Sequence, residues 1–189
     1  MGTADRKRRE RTEREQRITA AARAIAEGEG WSAVTIRRLA DEIEYSQPVL
    51  YSHFENRDAI ITAVAVAGFR DLTSALRHVA PESTDRQRAL ERAATTYLAF
   101  AREHPALYEA MFTMPTNLRF AKADTRSELH DAFAALAAVV APLEGNVEAA
   151  TETFWATLHG LAELERTGRI RRDARGERVA IVVSGFLGS

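Results

Sequence analysis

The chain has 189 residues, of which 46% are hydrophobic and 28% are charged, a composition typical of a globular protein with a sizeable core. The absence of cysteine excludes disulfides and thiolate-bound metals, and it fits the reducing cytoplasm, where we expect the protein. No run of about 18 uncharged apolar residues occurs, so no membrane span is expected, and the polar N-terminus resembles no signal peptide. The formal net charge of −1 gives no nucleic-acid signature.

The first 17 residues nevertheless carry a local excess of three positive charges. Charge alone fits a phosphate-binding arm, a solvated helix face or a disordered tail equally well. We expect residues 1–11 to form a flexible basic arm. The seven basic and four acidic side chains are Arg6, Lys7, Arg8, Arg9, Arg11, Arg14 and Arg17, and Asp5, Glu10, Glu13 and Glu15.

Helical periodicity follows, beginning with a first helix that should end at Gly28–Gly30, where glycine can adopt the left-handed cap conformation. Thr35 is a good N-cap for a short second helix. After a tight turn, Ser46 is the N-cap of a third helix, and Pro48 lies in its first turn, where a missing N–H costs nothing. Two short helices separated by such a turn have the size of a helix-turn-helix.

A long fourth helix is expected to begin at Asn56 or Asp58 and to run to about Val79. Helical patterns continue to the end of the chain, and strand signals are almost absent. The predicted fold is therefore all-α, with about nine helices. A three-helix head, residues 12–57, precedes a helical bundle, residues 58–189.

The outward face of the third helix is neutral, although a solvent-exposed face normally carries charge. This face consists of Gln47, Pro48, Val49, Tyr51 and His53. In a DNA major groove, glutamine can pair with adenine, and valine or proline can contact a thymine methyl group. Tyrosine and histidine can reach phosphates. The alternative is that Val49 and Tyr51 pack against a neighbouring helix.

The same stretch resembles a known family. The segments GWSAVTIRRLA (30–40), SQPVLYSHF (46–54) and Asn56-Arg57 resemble the DNA-binding head of the TetR family of bacterial regulators, over about residues 12–65. The resemblance implies contacts to base edges from Arg37, Gln47, Pro48 and Val49. It implies phosphate contacts from, or beside, Thr35, Ser46, Tyr51, His53 and Arg57.

Glu44 departs from the family pattern, which commonly has glycine between the two helices. If this residue has a positive φ, the side chain introduces strain of about 1 kcal/mol or more. It also places a negative charge near DNA.

For the rest of the chain, the resemblance implies effector binding and dimerisation. The segment WATLHG, residues 155–160, resembles the Trp-x-x-x-His-Gly segment of one subgroup, and Pro105–Phe112 resembles that subgroup's short sixth helix. Aromatic and methionine side chains suit an adaptable apolar pocket, although at helical spacing such residues are usually ordinary core. No dedicated group for a charged ligand is evident, so an apolar or aromatic effector is expected. The pocket candidates are Tyr97, Phe100, Met111, Phe112, Phe120, Phe133, Trp155 and His159.

The last two helices are apolar on more than one side. One stripe could face the bundle and the other a symmetry mate, which would form a two-fold four-helix interface. The alternative is that both helices lie deep in a monomeric core. The candidate interface residues are Phe154, Leu158, Leu161, Val179, Val182, Val183 and Phe186.

These features predict a dimeric regulator that binds a near-palindromic operator and is released when a small effector shifts the fourth helix. The resemblance implies a repressor, and the residues themselves leave repression and activation open. No phosphate loop, nucleophile elbow or metal-ligand pattern occurs, so we expect neither enzyme activity nor a cofactor. The main alternative is a helical small-molecule-binding protein without DNA binding. A small helical enzyme is a second alternative.

Overall fold

The computed structural model describes residues 2–79, 85–116, 118, 125–141 and 145–188. Over these residues the fold is all-helical, with nine α-helices, one short 3-10 helix at Trp31–Ala33 and no β-strand. The helices are α1 Thr3–Glu29, α2 Ile36–Glu42, α3 Gln47–His53, α4 Arg57–Val79, α5 Arg86–Glu103, α6 Pro105–Phe112, α7 Ser127–Val140, α8 Val147–Arg166 and α9 Arg175–Leu187.

Short polar side chains begin several of these helices, because they satisfy backbone N–H groups that lack a partner within the helix. The Thr35 hydroxyl accepts a hydrogen bond from the Arg38 N–H at 3.1 Å, as predicted. Asn56, rather than Asp58, caps α4, since its side-chain oxygen accepts from the Ala59 N–H at 2.9 Å. The first helix ends at Glu29, and its C-cap residue Gly30 has a φ of 83°.

The N-terminal residues expected to form a flexible arm belong to helix α1. Ion pairs one turn apart join Arg6 to Glu10 and Arg11 to Glu15. Such pairs stabilise an exposed helix by a few tenths of a kcal/mol each. The same mixture of charges that suggested disorder therefore also supports a helix.

The chain falls into two compact units whose boundaries differ from the expected 12–57 and 58–189. The first unit comprises Met1–Gly68 and Ala106–Leu118, so that it includes nearly all of α6. Its buried residues come from every head helix, and full burial of such side chains stabilises by about 1.5–3 kcal/mol each. Its side chains with no exposed surface include Ile18, Leu39, Leu50, Ile60 and Leu107.

Helix α6 joins the first unit through specific hydrogen bonds. The Trp31 indole N–H donates to the Ala106 carbonyl oxygen at 2.8 Å. The Glu27 carboxylate accepts from the backbone N–H groups of Ala106 and Leu107 at 3.1 and 3.0 Å. A carboxylate at a helix N-terminus satisfies free N–H groups and interacts favourably with the helix dipole.

The second unit comprises Phe69–Pro105 and Arg119–Ser189. Helix α5 packs against α7, α8 and α9, and α7 packs against α8. Buried side chains in this unit include Leu90, Tyr97, Leu136, Phe154 and Leu158.

Helix α4 is long and apolar enough to span a membrane by composition, but 56% of its most apolar 18-residue window is buried inside the protein. A core helix of a protein can have the same length and apolar composition.

Candidate nucleic-acid interface and effector site

The turn between α2 and α3 contains the only non-glycine residue with a positive φ among the described residues. That residue is Glu44, with a φ of 57°. The Tyr45 N–H donates to the Ala40 carbonyl oxygen at 2.9 Å, which closes the turn after α2. Glu44 therefore occupies the left-handed conformation where glycine is favoured.

Helix α3 turns Leu50 completely into the head, whereas Gln47 and Pro48 are exposed and Tyr51 is 54% exposed. Val49 is half-buried. The exposure of Tyr51 argues against the alternative in which Val49 and Tyr51 pack against a neighbouring helix, whereas the half-burial of Val49 is compatible with it. An uncharged surface with one amide, one phenol and apolar edges is complementary to base edges in a major groove.

Two further candidates flank this surface. Arg37 is exposed, and no described acidic side chain forms an ion pair with it, so its guanidinium is available to a ligand. Its neighbour Arg38 instead binds Glu29 and Glu42, and these hydrogen bonds raise the pKa of Arg38.

Ser46 occupies the N-cap position of α3, and no capping hydrogen bond from its side chain is present in the described part of the chain. Its hydroxyl is therefore available to an external acceptor.

The structure gives His53 a partner within the protein instead of leaving it on the outward face. Its side chain is only 6% exposed, and Nδ1 lies 3.4 Å from a carboxylate oxygen of Glu15 in α1. His53 is the last residue of α3 and turns towards α1. It is therefore poorly placed for the expected phosphate contact.

Arg57 is likewise engaged within the head. Its Nε donates to the Val34 carbonyl oxygen at 2.7 Å, and its Nη2 donates to the Trp31 carbonyl oxygen at 2.5 Å. The planar guanidinium fork can bind two carbonyls at once, which a lysine ammonium cannot do in the same geometry. Arg57 thus holds the start of α4 against the 3-10 turn, and the phosphate contact expected of it stays a prediction.

Two residues of α1 near the recognition helix were absent from the predicted site. Arg17 donates from Nη1 to the Tyr45 hydroxyl at 3.0 Å, and its guanidinium carbon lies 5.1 Å from the centre of the Tyr45 ring. Glu15 is the second of these residues, and its carboxylate lies 3.4 Å from Nδ1 of His53. Only the fold brings these residues to α3, and local charge patterning carries no signal for that contact.

Five of the eight pocket candidates are described residues of the second unit, and three of them are in contact. The Trp155 indole N–H donates to the Tyr97 hydroxyl at 3.1 Å, and the rings of Trp155 and His159 are 6.5 Å apart. Burial lowers the pKa of His159, which keeps the imidazole neutral near pH 7, although Glu163 opposes this effect. Phe100 is buried and Phe133 is half-buried.

The other three pocket candidates are placed differently. Met111 and Phe112 belong to the first unit with the rest of α6, and Phe120 lies outside the described residues.

The second unit also has a polar groove of about 260 Å³ between α4 and α7. Ion pairs cross it from Arg70 to Glu128 at 2.5 Å and from Arg77 to Asp131 at 3.3 Å. Because these charged groups are paired with each other, they hold α4 and α7 together. Its lining residues are Arg70, Thr73, Ser74, Arg77, His78, Glu128 and Asp131.

The seven dimer candidates face inward more than expected. Phe154, Leu158, Val179 and Val183 are buried within the protomer, and they therefore contact their own chain. Leu161, Val182 and Phe186 are half-buried. In both α8 and α9, the stripe with the buried residues therefore packs into the core of the bundle.

The exposed stripe of α8 and α9 carries smaller residues together with a few large apolar ones. Ile181 is 71% exposed, Leu164 is 39% exposed and Leu187 is 38% exposed. A Cβ atom built at Gly160 or Gly185 has no described neighbour within 4 Å. These positions are candidates for a surface that contacts a second copy of the chain.

Comparisons with known proteins agree for both parts of the chain. Residues 18–64 match the family described as bacterial regulatory proteins, tetR family, and residues 90–183 match the tetracyclin repressor-like C-terminal domain. A curated HTH-type transcriptional regulator of Mycobacterium tuberculosis, Rv0681, is 31% identical over 153 residues, which are 80% of this chain and 69% of the relative.

Solved structures share the fold at lower identity. A Rhodococcus sp. RHA1 protein of unknown function has a TM-score of 0.75 and 24% identity, with coverage of 91% of this chain and 92% of that one. A TetR variant from Acinetobacter baumannii AYE, solved in complex with minocycline, has a TM-score of 0.67 and 18% identity, with coverage of 90% and 94%.

Proposed function

Because the chain belongs to the TetR family of bacterial helix-turn-helix transcriptional regulators, we propose that it is a cytoplasmic, ligand-responsive repressor that binds a near-palindromic operator as a homodimer. The observation that carries this proposal is the exposed neutral face of α3. Gln47, Pro48 and Tyr51 are all accessible there, while Leu50 holds the helix in the head.

In the proposed complex, α3 lies in the major groove. Gln47 pairs with an adenine edge, and Pro48 and Val49 contact thymine methyl groups. Arg37 reads a guanine from α2. Tyr51 reaches a phosphate, and the N-cap residues Thr35 and Ser46 lie beside the sugar–phosphate backbone of the DNA. These contacts fix the register of α3 on the duplex.

Dimerisation supplies the second reading head. Two α3 helices one helical turn of DNA apart require a two-fold symmetric operator. The exposed stripe of α8 and α9, with Leu164 and Ile181, supports an interface in which the two helices of each protomer form a four-helix arrangement.

The effector is proposed to be a small apolar or aromatic molecule bound in the second unit. Tyr97 and Trp155 offer aromatic surface, and the neutral imidazole of His159 can accept or donate one hydrogen bond. The minocycline bound by the Acinetobacter neighbour supports the capacity of this fold to hold a small molecule.

Helix α4 contributes Arg57–Gly68 to the first unit and Phe69–Val79 to the second, so it offers a route from effector to head. The effector releases DNA only if it binds the conformation that does not fit the operator more tightly than the conformation that does.

The proposal is tested by footprinting the purified protein on the DNA upstream of its own gene, with a promoter–reporter assay alongside. We expect protection of a two-fold symmetric site, an affinity that falls steeply with salt, and reporter repression. Gln47→Ala and Tyr51→Ala should each weaken binding by about tenfold or more, from a loss of ~1–3 kcal/mol per contact. Thr95→Ala, on the exposed side of α5, is the control.

Three outcomes contradict parts of the proposal. Salt-insensitive or absent binding excludes a DNA-binding function and favours a helical small-molecule-binding protein. Reporter activation excludes repression. Protection of an asymmetric site excludes the symmetric dimer.

A further inference from the structure

We propose that the N-terminal part of α1, residues 3–17, is a second DNA-binding element, which contacts the sugar–phosphate backbone outside the base pairs read by α3. This inference rests on the proposed operator binding. It adds a surface and a partner to the helix-turn-helix, and four observations carry it.

The first observation is that α1 contacts both the turn just before α3 and the last residue of α3. Near the start of α3, Arg17 binds the hydroxyl and the ring face of Tyr45, which directly precedes the N-cap Ser46. At the last residue of α3, His53 lies against Glu15. The N-terminal part of α1 therefore starts beside the recognition helix, where bound DNA would lie.

The second observation is that the segment before Glu15 buries no side chain. The first buried residue of the helix is Ile18, and every residue from Gly2 to Arg14 is exposed. Fifteen helical residues extend about 22 Å at 1.5 Å per residue. Helices are stabilised mainly by packing of an apolar face, so a segment of this length without one contributes little to folding. Its surface is free for a partner.

The third observation concerns which charges are free. Three arginines are paired with acids of the same helix, through the contacts Arg6–Glu10, Arg8–Asp5 and Arg11–Glu15. In the described structure, no acidic side chain pairs with Lys7, Arg9 or Arg14.

The fourth observation is the helical phase of two of these free cations. Lys7 and Arg14 are seven residues apart, and Ile18 and Ile25 continue the same stripe at spacings of four and seven. Since Ile18 and Ile25 are the side of α1 buried against the head, Lys7 and Arg14 point to the side on which α2 and α3 pack.

Together these features identify the partner class. Two free cations on one stripe, next to a helix that reads DNA, fit phosphates of the same duplex, because each contact releases a condensed counterion. No base-reading side chain accompanies them, so the contact adds affinity without sequence preference.

The experiment uses the full chain and two duplexes. One duplex contains only the protected operator, and the other adds ten base pairs on each side. Lys7→Ala/Arg14→Ala is compared with Arg6→Ala/Arg8→Ala, which removes the same charge from ion-paired positions off the stripe. Circular dichroism checks that each variant keeps its helix content.

We expect Lys7→Ala/Arg14→Ala to weaken binding to the long duplex by about tenfold at 0.15 M salt. The slope of log affinity against log salt should fall by about two per protomer, and binding to the short duplex should change little. The control variant should change affinity for the long duplex by less than about threefold.

The proposal is overturned if both variants bind the long duplex equally, or if the loss is the same on both duplexes. It is also overturned if wild-type protein binds vesicles containing phosphatidylserine through Lys7 and Arg14 while the long duplex shows no difference. Failure of the proposed function can be told apart from failure of this inference, because wild-type protein would then bind neither duplex. In that case the inference would fail as well.

Discussion

At the scale of single residues, Glu44 joins the two helices of the head in a conformation that suits glycine. A Cβ atom with a φ of 57° lies close to the neighbouring carbonyl oxygen, which costs about 1–2 kcal/mol. The residue is exposed, and its side chain has no described polar partner that offsets this cost.

Replacing this residue should therefore stabilise the protein. Glu44→Gly is expected to raise the free energy of unfolding by about 1 kcal/mol and the melting temperature by about 2–4 °C. Glu44→Ala is the matched control, because it removes the charge but keeps the Cβ atom. If both variants melt at the same temperature, charge rather than backbone strain accounts for the effect of Glu44.

Sequence reasoning at this scale succeeded where the cause is local and failed where it is distant. The Thr35 cap depends on a hydrogen bond to a residue three positions later, and the same short range governs the turn at Glu44. His53 and Arg57 are held by Glu15 and Trp31, 38 and 26 positions away. Composition and helical phase contain no information about such partners.

At the scale of elements, α6 depends on a carboxylate from α1. Because Glu27 accepts hydrogen bonds from two backbone N–H groups at the start of α6, Glu27→Gln should destabilise the protein by about 1 kcal/mol. Chemical denaturation monitored by circular dichroism measures this change. The control is Glu29→Gln, whose partner Arg38 is exposed and keeps Glu42. An equal effect of both variants would show that Glu27 contributes only a surface charge.

The hairpin of α8 and α9 is held by a carboxylate that titrates. Hydrogen bonds from Arg175 and the charge of Arg178 lower the pKa of Glu165 below its usual 4.5, although burial opposes them. A lowered pKa in the folded state gives stability that is present above the unfolded pKa and is lost as the pH falls through the folded pKa.

Glu165→Gln should therefore cost about 2 kcal/mol at pH 7, because it leaves two half-buried arginines without a carboxylate. The difference from wild type should shrink as the pH falls below about 4.5. Thermal unfolding of both proteins between pH 3 and pH 7 tests this. A difference that stays constant over the range would mean that the charge of Glu165 contributes nothing.

At the scale of the whole molecule, the proposed homodimer depends on the exposed apolar residues of α8 and α9. Ile181→Glu places a charge on the most exposed large residue among them, and it should convert the dimer into a monomer in sedimentation velocity experiments. Operator affinity should fall with it. Thr95→Glu, on the exposed side of α5, is the control. A dimer that persists in Ile181→Glu would exclude this surface as the interface.

The all-helical fold and the helix count followed from periodicity, whereas the grouping of the helices did not. Periodicity shows that α8 has two apolar stripes, but it cannot tell which stripe fills the core of its own protomer. The bulky stripe of Phe154 and Leu158 does so. Similarly, α6 joins the head because Glu27 reaches Leu107, 80 positions away, and no local pattern encodes that contact.

The attachment of α6 to the head sets where this protein can be recombined with others. A hybrid sensor made by cutting after Gly68 would separate Glu27 and Trp31 from the backbone groups of Ala106 and Leu107 that they bind. In a transplanted head, the Glu27 carboxylate would then lack its two N–H donors, and the Trp31 indole N–H would lack its carbonyl acceptor. Exchange of operator specificity should therefore move residues 106–118 together with residues 1–68, or else graft only the surface of α3.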